Sequence, residues 1–119
     1  MDTQDIFNKA YIHLLTQKVR SAIPYGCVYR DELGRKCAVG VFIRDEDYRP
    51  ELEGCVARSS RTLVVLAKAG VETTENNMLL LSGLQRVHDN LPPNEWESAL
   101  RELAARWKLE VPGKTMICR

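Results

Sequence analysis

Apolar residues recur at helical spacing in most of the chain and alternate in one stretch. Phe7, Ala10, Tyr11, Leu14 and Leu15 share one helical face. Asp2 or Thr3 can cap that helix, so it is expected over residues 3–20, with Pro24 ending it before the next element. Residues 63–67 (Leu-Val-Val-Leu-Ala) could be a buried strand or a helix. Gly70, shortly after Lys68, reads as a helix stop, so a helix is expected over 59–69. Thr73 or Thr74 opens another over 75–91, with Glu75 in its first turn and Leu80, Leu84, Val87 and Leu91 as its inner stripe. After Pro92 and Pro93, Asn94 with Glu97 resembles a capping pair. Trp96, Leu100, Leu103 and Trp107 then follow at helical intervals over 94–109, and both tryptophans are expected to anchor the core.

The alternating stretch runs from Gly26 to Ile43 and predicts an antiparallel hairpin over 25–43. Asp31 and Gly34 suit the first and fourth positions of a type I turn. With a left-handed glycine this gives a three-residue loop and a bulge. In that register Asp31 faces Arg35, Tyr29 faces Cys37 and Cys27 faces Val39. Strand alternation puts Cys27, Tyr29, Cys37, Val39, Val41 and Ile43 on a core face. Val28, Arg30, Lys36, Ala38, Gly40 and Phe42 then lie on an outer face. Cys27 and Cys37 become diagonal neighbours, roughly 7–8 Å apart, beyond comfortable disulfide reach. Residues 44–54 follow as an acidic, solvated loop with a short helical turn, and 110–119 as a tail.

Together these elements predict a single α+β domain of about four helices on an antiparallel β-hairpin. A hairpin alone is marginal in water, so the first and last helices should cover its cysteine face. The 119 residues suffice for one domain with a core. The net charge of +1 gives neither the basic stripe of a nucleic-acid binder nor a strong acidic excess. No apolar run nears the ~18 residues that span a membrane. The first twenty residues lack the continuous apolar core of an export signal. The four scattered cysteines are therefore expected as reduced thiols in the cytoplasm.

Candidate chemistry adds little. Residues 63–84 read as two helices around Gly70, like a helix-turn-helix. The second begins Glu-Thr-Thr-Glu-Asn-Asn-Met, with acids where recognition helices carry bases. Gly34 and Gly40 are isolated and make no phosphate loop. The carboxylates of 44–54 lack the spacing of a calcium loop. Cys37 as nucleophile with His88 as base is the catalytic candidate. Asp89, a sequence neighbour on a helix, is not expected to orient His88, and a mid-strand thiol lacks the helix N-terminus that would lower its pKa. His13, Cys27, Cys37 and His88, with Cys55 in reserve, could supply four zinc ligands. No close CxxC or HxxxH pair supports that set, so no metal or other cofactor is expected.

The segments Cys-Val-Tyr-Arg (27–30), Gly-Arg-Lys-Cys-Ala-Val-Gly (34–40), Ile-Arg-Asp-Glu-Asp-Tyr (43–48) and Pro-Glu-Leu-Glu-Gly (50–54) resemble a family of small proteins widespread in phages, prophages and bacterial genomes. The Leu-Gln-Arg-Val-His-Asp run at 84–89 and Glu-Trp at 95–96 extend the likeness over most of the chain. Many of those proteins carry Cys where this chain has Val41 and Pro where it has Arg44, which speaks against a ligand at position 41. The resemblance implies a phage origin and brings no catalytic roles. The reading that remains is a small cytoplasmic protein-binding domain acting on a host or defence protein. Its surface would be Val28, Arg30, Lys36 and Phe42, since arginine and aromatic residues favour interface hot spots. Strand addition at the hairpin edge would supply further bonds. The competing readings are a thiol enzyme using Cys37 with His88 and a zinc-stabilised structural domain.

Overall fold

The computed structural model describes residues 1–23, 26–54 and 59–112. Its regular elements are four α-helices: α1 (Thr3–Gln17), α2 (Ser60–Lys68), α3 (Glu75–Asn90) and α4 (Trp96–Trp107). Each starts or stops for a local reason. The Asp2 carboxylate accepts from the Asp5 N–H while the Asp5 carboxylate accepts from the Asp2 N–H, a reciprocal cap for α1. That helix ends at Gln17, where Lys18 turns left-handed (φ 58°), several residues before Pro24. Ser59 caps α2 by accepting from the Thr62 N–H, and past Gly70 the Val71 N–H returns to the Leu66 carbonyl. Thr74 caps α3 by accepting from the Asn77 N–H. The expected Asn94 cap does not form: a 3₁₀ turn over Pro93–Glu95 leads into α4, which has no side-chain cap.

Helices α1, α3 and α4 pack pairwise against one another. Ile6, Phe7, Ala10, Tyr11 and Leu14 of α1 meet Leu80, Leu81 and Leu84 of α3 and Trp96, Leu100 and Ala104 of α4 in one core. Trp96 is wholly buried, but Trp107 is only half-buried and sits at the core's edge. No described helix is long and apolar enough to cross a membrane.

The fold is all-α, and the expected α+β architecture is wrong. The hairpin over 25–43 does not form. Strand pairing among the described residues amounts to two-residue stubs, Ala22–Ile23 against Gly26–Cys27, and one isolated bridge between Arg30 and Lys36. The turn itself is present: the Gly34 N–H donates to the Asp31 carbonyl and Gly34 takes φ 81°. The Asp31 N–H bonds the Arg35 carbonyl, and the Cys37 N–H bonds the Tyr29 carbonyl. Beyond Cys37 the pairing stops. The chain coils into a 3₁₀ turn over Gly40–Phe42, with the Val41 N–H on the Cys37 carbonyl and the Phe42 N–H on the Val39 carbonyl.

Burial explains that departure. Ala38, Val39, Gly40, Phe42 and Ile43 are all buried, whereas a strand with one wet face would bury every second residue. Coiling lets the segment sink both expected faces into the helical core. It also brings Gly40 against the preceding limb, where a Cβ on Gly40 would lie 2.1 Å from the Tyr29 carbonyl oxygen. The acidic stretch that follows makes two 3₁₀ turns, Asp45–Asp47 and Pro50–Leu52.

Candidate functional site

The sequence candidates Cys37 and His88 are both wholly buried. Burial pushes the Cys37 thiol up to about 12, despite hydrogen bonds from the Gly40 and Val39 N–H groups, and the nearby Asp89 charge adds to the rise. The Gly40 N–H donates to its sulfur at 3.2 Å. A thiol this far from ionising supplies no thiolate at neutral pH.

His88 is committed at both ring nitrogens. Its Nε2 lies 3.1 Å from the Ser21 backbone nitrogen, which can only donate, so Nε2 carries the lone pair. Nδ1 then bears the proton and donates to Asp89 Oδ1 at 2.7 Å. Asp89 therefore does orient His88, contrary to the sequence expectation, although the two are chain neighbours. The imidazole stacks on Trp96, with ring centroids 5.4 Å apart. Next to it, Arg20 reaches the His88 carbonyl at 3.0 Å and the Leu91 carbonyl at 2.6 Å, closing the C-terminus of α3. A base whose lone pair is occupied by a buried main-chain N–H cannot take a proton from Cys37 without breaking that bond.

The same network reaches the coiled segment. Gln85 Nε2 donates to Asp89 Oδ1 at 2.8 Å, and Gln85 Oε1 accepts the Val39 N–H at 3.1 Å. From α1, the Gln17 side-chain amide grips the Lys36 peptide on both sides: it accepts the N–H at 2.9 Å and donates to the carbonyl at 2.8 Å. His13 Nε2 donates to the same carbonyl at 2.8 Å. Burial lowers the His13 pKa, partly offset by that bond, and the Lys36 charge lowers it further. Among the metal candidates, His13 Nε2 and both nitrogens of His88 are thus engaged in main-chain and carboxylate bonds. Cys37 is a free buried thiol. The Cys27 side chain and Cys55 lie outside the described residues, as does the tail beyond 112. Among the described residues, no group of three or more His, Cys, Asp and Glu could hold a metal.

The expected binding surface is not one face. Phe42 lies in the core at 1% exposure, beneath the Lys9 ammonium. Its place in the outward set failed with the strand alternation. Arg30 is the hub of the loop: its guanidinium bonds Asp45 at 3.0 Å and the Ile43 carbonyl at 3.1 Å, and lies 4.5 Å above the Tyr48 ring. Lys36 reaches the same Asp45 carboxylate at 3.7 Å. Val28 is half-buried, its N–H on the Ser21 carbonyl. Glu53 takes the Tyr29 and Arg30 N–H groups at 2.8 and 3.1 Å and the Tyr48 hydroxyl at 2.6 Å. Burial, with Glu53 beside it, pushes Tyr48 up to about 12.

What the sequence reading missed is a surface between two helices. A groove of about 540 Å³ runs between α3 and α4. Leu79, Val87, Leu91, Ala99, Leu103 and Trp107 form its apolar surface, with Arg86, Glu102 and Arg106 at the rim. Leu79 stands 46% exposed. The signal was available: Leu79, Leu80 and Leu81 together sweep about 200° of a helix, so one of the three had to leave the inner stripe. At Gly83 the two helices pack tightly: a Cβ there would sit 3.2 Å from Leu103 Cδ1. No protein-family model, curated protein or solved structure matches the chain.

Proposed function

We propose that this chain is a small protein-binding domain whose docking surface is the α3/α4 groove. The observation that carries the reading is Leu79, a large apolar side chain left half in water beside an apolar groove, on a helix that buries its other leucines. Exposed apolar surface with a polar rim is the usual mark of a protein interaction site. The state of Cys37 and His88 supports binding over catalysis, because each group a thiol enzyme would use is already engaged in holding the fold. The resemblance of segments 27–54 to phage and prophage proteins supports a host or defence protein as the partner class. Four cysteines without dense spacing support a cytoplasmic setting.

The test is affinity capture with three forms of the protein. The wild type and Cys37→Ser are expected to retain one partner, and Leu79→Asp to lose it while keeping its helical circular dichroism. Retention by Leu79→Asp would place the docking surface elsewhere. Loss of a cellular activity in folded Cys37→Ser would replace binding with thiol chemistry.

A further inference from the structure

We infer that Ser21 and His88 form an acid-operated latch between the linker after α1 and the end of α3: the neutral ring holds the linker and the protonated ring lets it go. The latch is independent of the groove proposed above for docking.

Hydrogen bonds fasten residues 18–23 along their length. Gln17 Nε2 donates to the Val19 carbonyl at 2.7 Å, and Arg20 donates to the His88 and Leu91 carbonyls at 3.0 and 2.6 Å. The Val28 N–H donates to the Ser21 carbonyl at 3.0 Å, and the Ser21 N–H donates to His88 Nε2 at 3.1 Å. Amides, carbonyls and a guanidinium keep their roles at any ordinary pH. An imidazole is the side chain that ordinarily changes charge between about pH 5 and 8.

Protonation reverses the part that His88 plays. Nδ1 already carries a proton and donates it to Asp89 Oδ1 at 2.7 Å, so an added proton must go to Nε2. That nitrogen then becomes a donor facing a donor. Ser21 is wholly buried, and a buried N–H that loses its acceptor is costly. The same residue holds another acceptor. The buried Ser21 hydroxyl has no hydrogen-bond partner among the described residues. By covalent geometry its oxygen lies within about 4 Å of its own main-chain nitrogen. The pair therefore has two arrangements: main-chain N–H to the neutral ring, or charged ring to the hydroxyl oxygen. The second requires the Ser21 backbone to move off α3.

The charges around the ring are of both signs. Asp89, on α3 itself, favours the charged form. Arg20 in the linker and His13 on α1 oppose it, His13 and His88 repelling when both are charged. From α4 the ring meets uncharged Trp96, and the coiled segment brings the Cys37 thiol near Asp89, held protonated with a pKa of about 12. Charging His88 sets an imidazolium on the residue whose carbonyl Arg20 holds, and that repulsion favours departure of the linker that carries Arg20.

The test is amide exchange and imidazole NMR on the full chain at pH 7.5 and 5, with exchange rates corrected for the intrinsic effect of pH. In the wild type, protection of the Ser21 amide should fall at least about tenfold on acidification, while α4 keeps its protection. The fall should share its midpoint with protonation of His88 Nε2. In His88→Gln the side-chain oxygen can accept the Ser21 N–H and the amide can donate to Asp89 without titrating, so protection should match at the two pH values. In His13→Gln the fall should persist. Protection unchanged by acid in the wild type would overturn the latch. So would a proton on Nε2 already at pH 7.5, an equal fall in His88→Gln, or disappearance of the fall in His13→Gln. Loss of α4 protection together with that of Ser21 would also overturn it, because the whole domain would then be unfolding. Should His88→Gln not fold, the wild-type midpoints decide, and separate midpoints would reject the latch.

Discussion

The α1/α3/α4 bundle and the segment 28–53 solve the same problem in opposite ways. In the bundle, peptide groups away from the helix ends bond within their own helices, and most side chains are left to pack. In the segment, side chains do the bonding. Gln17 holds the Lys36 peptide, Gln85 the Val39 N–H, Glu53 the Tyr29 and Arg30 N–H groups, and Asp31 the Leu33 and Arg35 N–H groups. A stretch rich in strand-forming residues has thus been built without a sheet, because polar side chains stand where a partner strand would. The difference implies that the segment is more sensitive to loss of a single polar side chain than the exposed polar positions of the bundle are.

One added methyl group in each region should separate the two most strongly. Gly40→Ala drives a Cβ into the Tyr29 carbonyl, which is main chain and cannot swing aside. It is expected to cost about 3 kcal/mol, read as a lower urea midpoint. Gly83→Ala in α3 meets only the Leu103 side chain, and helix propensity gains offset the crowding, so a change under about 1 kcal/mol is expected. Equal losses at both sites would erase the distinction.

Next in size is Glu53→Ala, which strips the acceptor from two main-chain donors and from the Tyr48 hydroxyl. A loss of about 2 kcal/mol is expected. Amide exchange should quicken within 28–53 while α3 keeps its protection. Uniform quickening would show that the segment and the bundle open as one unit.

These two regions also differ in how far the sequence announces them. Caps at Ser59 and Thr74 and the stripes of α1 and α3 are local, so they can be read from neighbours in the chain. The segment is decided by Gln17, Glu53 and Gln85, whose partners lie 19, 24 and 46 residues away. Nothing in the alternation of 35–43 says that a glutamine from α1 will take the place of a strand. The turn at Asp31–Gly34 was legible for the same reason that the caps were. Of the candidate chemistry, the buried position of Cys37 was foreseeable from its place on the expected core face, but the complete burial of His88 and the seating of Asp89 on its own neighbour were not.

A smaller effect follows from His13. Burial keeps its pKa below the ordinary 6.5, so the fold favours the neutral ring. The corresponding stability is complete above pH 6.5 and is lost as pH falls through the folded value. Between pH 7 and 5 the wild type should lose more stability than His13→Gln, whose amide can still donate to the Lys36 carbonyl. Matching slopes for the two proteins would remove His13 from the account. Asp31 enters only lower. Burial raises its pKa, but bonds from Arg35 and the Leu33 N–H outweigh that and hold it below 3.8, so its contribution fades under that pH.

The smallest expected effect is none. Native protein treated with iodoacetamide at pH 8 should leave Cys37 unmodified, as followed by mass measurement of its peptide, because the thiol is buried and its pKa is about 12. Modification should appear in urea. Rapid labelling without urea would mean that the segment around Cys37 opens independently of the helices.

The grip of Gln17 on Lys36 bears on self-association as well. Residues 26–43 combine high strand propensity with few charges outside the turn, the composition from which fibrillar assemblies nucleate. In the folded molecule one glutamine fills both bonding positions of the Lys36 peptide, and the coil at Gly40 hides the residues that follow. Unfolding releases the whole stretch at once. Fibril nucleation should therefore follow the unfolded population, and it should be fastest near the urea midpoint of the weakest variant.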